Sequence, residues 1–584
     1  MRNKYIYITL VCLITISCGP SKRVVVSQDS SLGRPVTAVE LRNIIENGDT
    51  SVQVIDLRGE RVDLSRDRYK TKSSHDLIIK NGSIDLLGLT FLETKKVVLE
   101  DVTITIDRNF ASACVGQGLV SLYCRNCSII NDNKQGIGYF INSTKSVVFE
   151  NCYFENCGIS LGVSDSNSGM NSDFRAYINN CHFKWDGAHS SKRKDGNMDA
   201  INCQSNVDLT VSGCTFESIT NSCIDAYMAS DVIVTNNKFI HCAGAVTFKS
   251  IFIKDTESNL SFSRCHNFLF SNNVIDEIYG ATINLDITNG TDLEKNLDRV
   301  KQNCIISNNT VYCNEYSDDQ YRYFICGCFI GNTLICNNVM YASNSNVRFI
   351  RDSELYDAKN LSIWQSTLPR VVIRDCEIIK NTEGCSFKND WVMEFGASEV
   401  VIEGCKIEGS INASRGLIGT TLRLEGVNIC GDVIVGAPLG KSYDVSISSS
   451  TIQGKLVSYS SNPLKSIVLN HSSISGGIDI RNDVSIGRPV VYSLNGSVAG
   501  VYTNRISNIN RDNVIVGIVD MTSSLYKIPS NTNYLDIRPF DNKRDLMSLG
   551  LDANRQFCYR KGEKMYYYSP QRDAWYTPSG EKDL

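Results

Sequence analysis

The sequence predicts an all-β protein: one long, single-stranded, right-handed parallel β-helix with a short helical cap before it and a small β tail after it. Three observations carry this prediction. A short phrase recurs from one end of the chain to the other, its copies fall about one coil apart, and apolar and polar residues alternate within each copy. The phrase is two or three alternating apolar residues, a polar pair, any residue, and an apolar one. Val148-Phe149-Glu150-Asn151-Cys152-Tyr153-Phe154, Val211-Ser212-Gly213-Cys214-Thr215-Phe216 and Phe270-Ser271-Asn272-Asn273-Val274-Ile275 are clear copies. Others sit at Ile306, Ile335, Ile373 and Ile402, with weaker ones at Ile84, Ile104, Ile129, Ile429, Ile452 and Ile474. The first polar positions are Asp101, Asn126, Asn151, Asn180, Gly213, Asn236, Asn272, Asn308, Asn337, Asp375, Gly404, Gly426, Ser449 and His471, at steps of 22 to 38 residues. Self-similarity at this period marks a solenoid, and alternation with period two marks strands rather than helices.

The elements follow in chain order. Arg2 and Lys4 precede an apolar run from Tyr5 to Ile16, too short to span a bilayer comfortably and patterned as a signal peptide over 1–17. Thr15-Ile16-Ser17-Cys18 resembles the lipobox of bacterial lipoproteins, which implies lipidation at Cys18, with Thr15 in place of the usual Leu. Residues 18–36 then read as a polar tether. The expected location is the bacterial cell envelope, in the outer membrane or periplasm, with membrane contact through the lipid alone. Val39, Leu41, Ile44 and Ile45 have helical spacing within Thr37 to Asn47, with Gly48 as the stop, so a short cap opens the β-helix over 37–505. The segment 506–584 is a separate cap or tail. Its Tyr559, Met565-Tyr566-Tyr567 and Trp575 resemble the small β-hairpin tail of some phage and Bacteroidetes β-helix proteins.

A net charge of −4 over 584 residues leaves no basic footprint for nucleic acid. The 23 cysteines do not cluster as in a small disulfide scaffold. Cys127, Cys152, Cys181, Cys214, Cys376 and Cys405 share one phase of the repeat, and Asn237, Asn273, Asn309 and Asn338 occupy it in the coils between. The residue two further on is usually Phe or Ile, so this phase points inward. Cys is then a small buried filler and Asn a ladder bonded to the backbone. In-register stacking holds Cβ atoms further apart than a disulfide favours, so free thiols are expected. Cys124 and Cys127 form a CxxC whose second Cys belongs to the repeat rather than to a metal site.

The smallest coils take 22 or 23 residues, so longer steps mean inserted loops. Insertions in solenoids gather on one functional face. They fall between Asn151 and Asp375 and bring aromatics, among which Trp185 and Tyr321 are candidate substrate-binding residues for stacking on sugar rings.

A run in this region carries a family resemblance. Asp199-Ala200-Ile201, Val211 to Phe216, Asn221-Ser222-Cys223-Ile224-Asp225-Ala226 and Val232 to His241 are similar in order and spacing to pectate lyases. The resemblance covers about 50 residues and implies Ca2+ bound at Asp199, Asp225 and Asn221, with His241 on the substrate. Asn221 and Ser212 stand where that family has Asp, Ala243 where it has a substrate-binding Lys, and its Arg-x-Pro-x-x-Arg segment has no counterpart. Other β-helix lyases pair a Lys base with an Arg beside a charge neutraliser, because a proton next to a carboxylate leaves only once that carboxylate is neutralised. Lys249 and Arg264 are the candidates here, with Glu277 and Asp286 nearby in the repeat. A hydrolase would instead gather carboxylates such as Asp199, Asp225 and Asp231. The expected function is binding or processing of an acidic polysaccharide, with β-elimination as the chemistry. The alternative is a non-catalytic structural or glycan-binding envelope lipoprotein with a degenerate lyase-like site.

Overall fold

In the computed structural model the chain forms a single-stranded parallel β-helix. The structure describes most of 54–521 apart from segments between strands, together with Leu41 before them and three strands between 558 and 576 after them. A typical coil contributes three strands. In one central coil these are Val207–Ser212, Thr215–Glu217 and Ser222–Ala226. Each pairs in parallel with its equivalent in the next coil, as in Asp208↔Asp231, Thr215↔Lys238 and Ile224↔Val246. Three sheets therefore run along the cylinder, here named first, second and third in the order the chain meets them.

One left-handed residue turns the chain between the first and second sheets. φ is positive at Asp101, Asn126, Asn151, Asn180, Gly213, Asn236, Asn272, Asn308, Asn337, Asp375, Gly404, Gly426, Ser449 and His471. These are the positions whose spacing measures the coil in the sequence. Most are Asn, Asp or Gly because those residues reach the left-handed region at least cost.

The next residue closes the bend from inside. Cys214 N–H donates to Asn237 Oδ1 at 2.8 Å, Asn237 N–H to Asn273 Oδ1 at 2.9 Å, Asn273 N–H to Asn309 Oδ1 at 2.9 Å and Asn309 N–H to Asn338 Oδ1 at 3.0 Å. A thiol takes this place for Cys181 N–H, which donates to Cys214 Sγ at 3.4 Å, and a hydroxyl for Val427 N–H, which donates to Ser450 Oγ at 3.0 Å. Cys, Asn and Ser are thus equivalent in the turn. Each accepts the N–H that the bend takes out of the strand ladder, which would otherwise be buried without a partner. The sixteen cysteines whose side chains are described are all free thiols, thirteen of them buried.

The same register stacks the core in rows. Phe154, Phe183, Phe216 and Phe239 lie in consecutive coils, with ring centroids 4.5 to 5.0 Å apart and planes within 6° of parallel. All four are fully buried.

At the N-terminal end Leu41 is helical and fully buried; the rest of Thr37 to Asn47 lies outside the described residues, as do Cys18 and the whole of 1–36. Parallel pairing runs past 505, through Gly500–Thr503 onto Ile518–Met521. The tail forms three antiparallel strands, Cys558–Lys561, Lys564–Ser569 and Ala574–Tyr576. Among the described residues no helix is long and apolar enough to cross a membrane.

Candidate functional site

The third sheet is the face that the insertions frame. Short turns join the first strands to the second, whereas the long gaps in chain order all enter or leave a third strand. They run from Leu161 to Phe174, Lys184 to Ile201, Ser250 to Asn267, Ile287 to Gln302, Cys313 to Arg322, Asp352 to Arg370, Lys380 to Trp391 and Asp479 to Val491. In-register pairing lines up one polar column on this sheet: Ser160, Asn202, Asp225, Thr247, Asn284, Cys326, Arg351, Glu394 and Asn412. Their strand neighbours Ile201, Ile224, Val246, Ile283, Ile325, Ile350 and Met393 fill the core. Beyond Asn412 the column turns apolar, at Ile434 and Val457. Polar residues return further on, at Asp479, Tyr502 and Asp520, so the apolar pair separates the polar run of the central coils from the last coils.

At one end of the column lies a cluster of carboxylates and amides. Asp199 is 3% exposed; its Oδ1 accepts from Asn221 Nδ2 at 2.9 Å and its Oδ2 from Asn202 Nδ2 at 3.3 Å. Asn202 is the register partner of Asp225 in the next coil. Its own Oδ1 is buried and accepts no hydrogen bond. The adjacent Cys203 thiol is pushed well up, first by burial and then by the charges of Asp225 and Asp199 together. Two carboxylates thus act on one point, beside an amide oxygen without a donor. Such an acceptor is costly unless something positive meets it, and hard oxygen donors of this kind suit calcium. Among the described residues no group of three or more His, Cys, Asp or Glu side chains is gathered closely enough to hold a metal ion, so a cation here would draw on amide oxygens as well as on two carboxylates.

Asn221 points its amide at Asp199, so in this arrangement it orients a carboxylate rather than offering an oxygen. His241 sits at a left-handed bend with φ 50°, its Nδ1 3.4 Å from the Tyr279 hydroxyl, at the end of the second sheet. Trp185 is 3% exposed and belongs to the hydrophobic core. A ring so enclosed packs the interior and offers no face to a sugar. Lys249 lies on the third strand, with its backbone paired to Asp286 in the next coil. Arg264 and Tyr321 lie outside the described residues. Asp231 belongs to the first sheet, where it accepts from Asn267 Nδ2 at 2.7 Å, away from Asp199 and Asp225. Glu277 is buried in an ion pair with Arg322, 3.3 Å away.

Further along the third sheet stands a second polar group, less visible in the sequence. Arg351 donates from Nη1 to the Tyr323 hydroxyl at 2.8 Å and lies over that ring, 5.3 Å from its centroid. Arg348 is buried against Glu394, with Nη1 3.4 Å from Oε2. Burial is the largest influence on the Tyr323 phenol and leaves it raised, although Arg351 and Arg348 draw it down. Arg348 and Arg351 are three apart in sequence, which on a straight strand places them on opposite faces; yet the charge of Glu394 reaches both. The Arg-x-x-Arg spacing is the one trace of this group in the sequence.

The fold defines the class, a parallel β-helix protein. No protein-family model, no curated protein and no solved structure matches the chain.

Proposed function

We propose that this is an exported, lipid-anchored β-helix that binds an acidic polysaccharide along its third sheet, with Ca2+ neutralising a carboxylate of the glycan. The supporting observation is the cluster of Asp199, Asp225 and Asn202, with an amide oxygen buried and unbonded between coils. Asp199, Asp225 and the Asn202 carbonyl would hold the ion, and Asn221 would keep Asp199 in place. A bound calcium supplies positive charge that bridges protein and uronate. With two carboxylates and otherwise neutral oxygens, affinity belongs to the weak range of about 10⁻⁴ to 10⁻³ M found in extracellular modules. The test is a screen of pectin, alginate and glycosaminoglycans for binding with and without calcium, repeated with Asp199→Asn and Asp225→Asn. Calcium-dependent binding of a uronate polymer that either substitution removes supports the reading. Binding that ignores both calcium and the substitutions refutes it.

β-Elimination is the activity that Lys249 would add, since its backbone lies on the third strand one coil beyond Asp225. The assay is absorbance of the new double bond on the same polymers. Loss of that absorbance in Lys249→Ala and Arg264→Ala, with melting temperature unchanged, marks the pair as catalytic. Absence of any absorbance change in the parent protein leaves binding as the function.

A further inference from the structure

The outer face of the first sheet changes character halfway along the cylinder. Ile233, Leu269, Ile305 and Leu334 stand in register in consecutive coils. Each is partly exposed, while strand neighbours such as Phe268, Phe270, Cys304 and Ile306 lie in the core. Alternation along the strand therefore turns this aliphatic stripe outward. Neutral residues border it, Asn267, Asn303 and Asn332 on one side and Ser271 and Ser307 on the other. Among the described residues, the coils of Leu269, Ile305 and Leu334 set no charged side chain on this face. Elsewhere the same face carries ion pairs between coils: Arg125 with Glu150 at 3.2 Å, Arg370 with Glu399 at 3.2 Å and Arg374 with Glu403 at 2.6 Å. A continuous apolar stripe rimmed by polar residues marks an interaction surface.

The charges beyond the stripe make the face complementary to itself. In the outward column at the head of the strand, Asp208 and then Arg175 lie beyond one end of the stripe, and Arg370 and then Glu399 beyond the other. A two-fold axis parallel to the strands, between the coils of Leu269 and Ile305, sets each coil against its counterpart across the axis. Leu269 then meets Ile305, Ile233 meets Leu334, Asp208 meets Arg370 and Arg175 meets Glu399, each contact made twice. An axis parallel to the cylinder would instead set Arg370 against Arg374 and Glu399 against Glu403, like against like. Arg370 and Arg374 keep their carboxylate partners within one chain, so a second copy adds to pairs already made. Seven register steps separate Arg175 from Glu399. At about 4.8 Å per coil and about 3.3 Å per residue, eight coils of five-residue strand present about 38 Å by about 16 Å, or about 600 Å². Two copies bury about 1,200 Å², the lower bound of a stable specific interface.

We propose that the first sheet is the interface of a homodimer in which two cylinders pack face to face and antiparallel. The aliphatic stripe forms its centre, and the Asp208–Arg370 and Arg175–Glu399 contacts form its rim. Its modest area makes it a weak dimer, with a Kd on the order of micromolar. The inference does not depend on the acidic-glycan reading, which rests on residues of the third sheet.

The experiment is sedimentation velocity of the full chain from about 1 to 100 µM, a range that brackets such a Kd. Cys18→Ala is the common background, so that no lipid brings copies together. This parent passes from monomer to dimer across the range. Leu269→Glu places an unpaired charge beside the axis, opposite Ile305 of the second copy, and raises Kd about a hundredfold. Ile305→Glu, from the other side of the same contact, does the same. Both positions face outward, so circular dichroism and melting temperature stay near the parent's. Arg370→Glu weakens the dimer about tenfold by facing Asp208, and Asp208→Lys added to it restores affinity. Within one chain the two residues are five register steps apart. That is about 24 Å, well past the Debye length of about 8–10 Å, so rescue reports a contact between copies. A parent that stays monomeric throughout overturns the proposal, whether a glycan or another protein then covers the face. A dimer unmoved by Leu269→Glu and Ile305→Glu also overturns it. A charge swap that restores nothing overturns the antiparallel arrangement.

Discussion

Replacing Asn273 with alanine tests the physical account of the coil turn. Asn273 is 1% exposed. Its Oδ1 accepts from Asn237 N–H at 2.9 Å and from Asn237 Nδ2 at 3.1 Å. Its Nδ2 donates to Val234 O at 3.0 Å and to Asn309 Oδ1 at 3.0 Å. Alanine removes all four bonds and leaves the buried Asn237 N–H with no acceptor. An orphaned buried donor costs about 1–3 kcal/mol and each of the three further lost bonds about 1 kcal/mol, so the expected loss is about 4–6 kcal/mol. Cysteine is the informative control. At the same phase Cys214 Sγ accepts from Cys181 N–H at 3.4 Å and donates to Ile178 O at 3.5 Å, so Asn273→Cys should recover about half of the loss. Solenoids unfold in sections, so the measurement is hydrogen exchange at the Asn237 amide alongside guanidinium unfolding followed by circular dichroism. Exchange at Asn237 should accelerate in Asn273→Ala and less so in Asn273→Cys. A loss below about 1 kcal/mol, or cysteine no better than alanine, would refute the idea that this column serves the freed N–H groups.

Other outcomes follow from the same geometry. Burial pushes the Cys313 thiol up to about 12 and the Cys336 thiol up to about 11. Because their folded values lie above the unfolded one, this stability is complete below about pH 9 and drains away as pH rises through those values. Melting temperature should therefore fall between about pH 9 and 12, and a flat profile there would contradict buried neutral thiols. Native labelling with a maleimide should be slow for the thirteen buried cysteines and complete after denaturation; a majority of disulfides would reverse this. Arg322→Met strands Glu277 in the interior and should cost about 3–5 kcal/mol, with much of it regained when Glu277→Gln is added. If the double variant is no better than the single, charge burial is not the cause. Cys18→Ala should move the protein from membranes to the soluble fraction, and unchanged fractionation would remove the lipid anchor.

Much of the architecture can be read without coordinates. The bend positions from Asp101 to His471 are legible because a left-handed residue selects Asn, Asp or Gly, and the strand around it alternates about a single buried face. The inward Cys and Asn phase is legible for the same reason: a one-residue shift would turn every side chain of the strand to the other side. The insertions are legible as extra length between bends. Register between coils is decided only by the fold, and register makes the site. It sets Asn202 against Asp225 and carries the column on to Arg351 across segments of very different length. It also encloses Trp185, which composition alone offers as a sugar platform. Local sequence determines which face a residue takes, because that depends on its immediate neighbours along the strand. Which residues meet across coils depends on where each insertion returns the chain to the cylinder, and that is decided only when the coils pack.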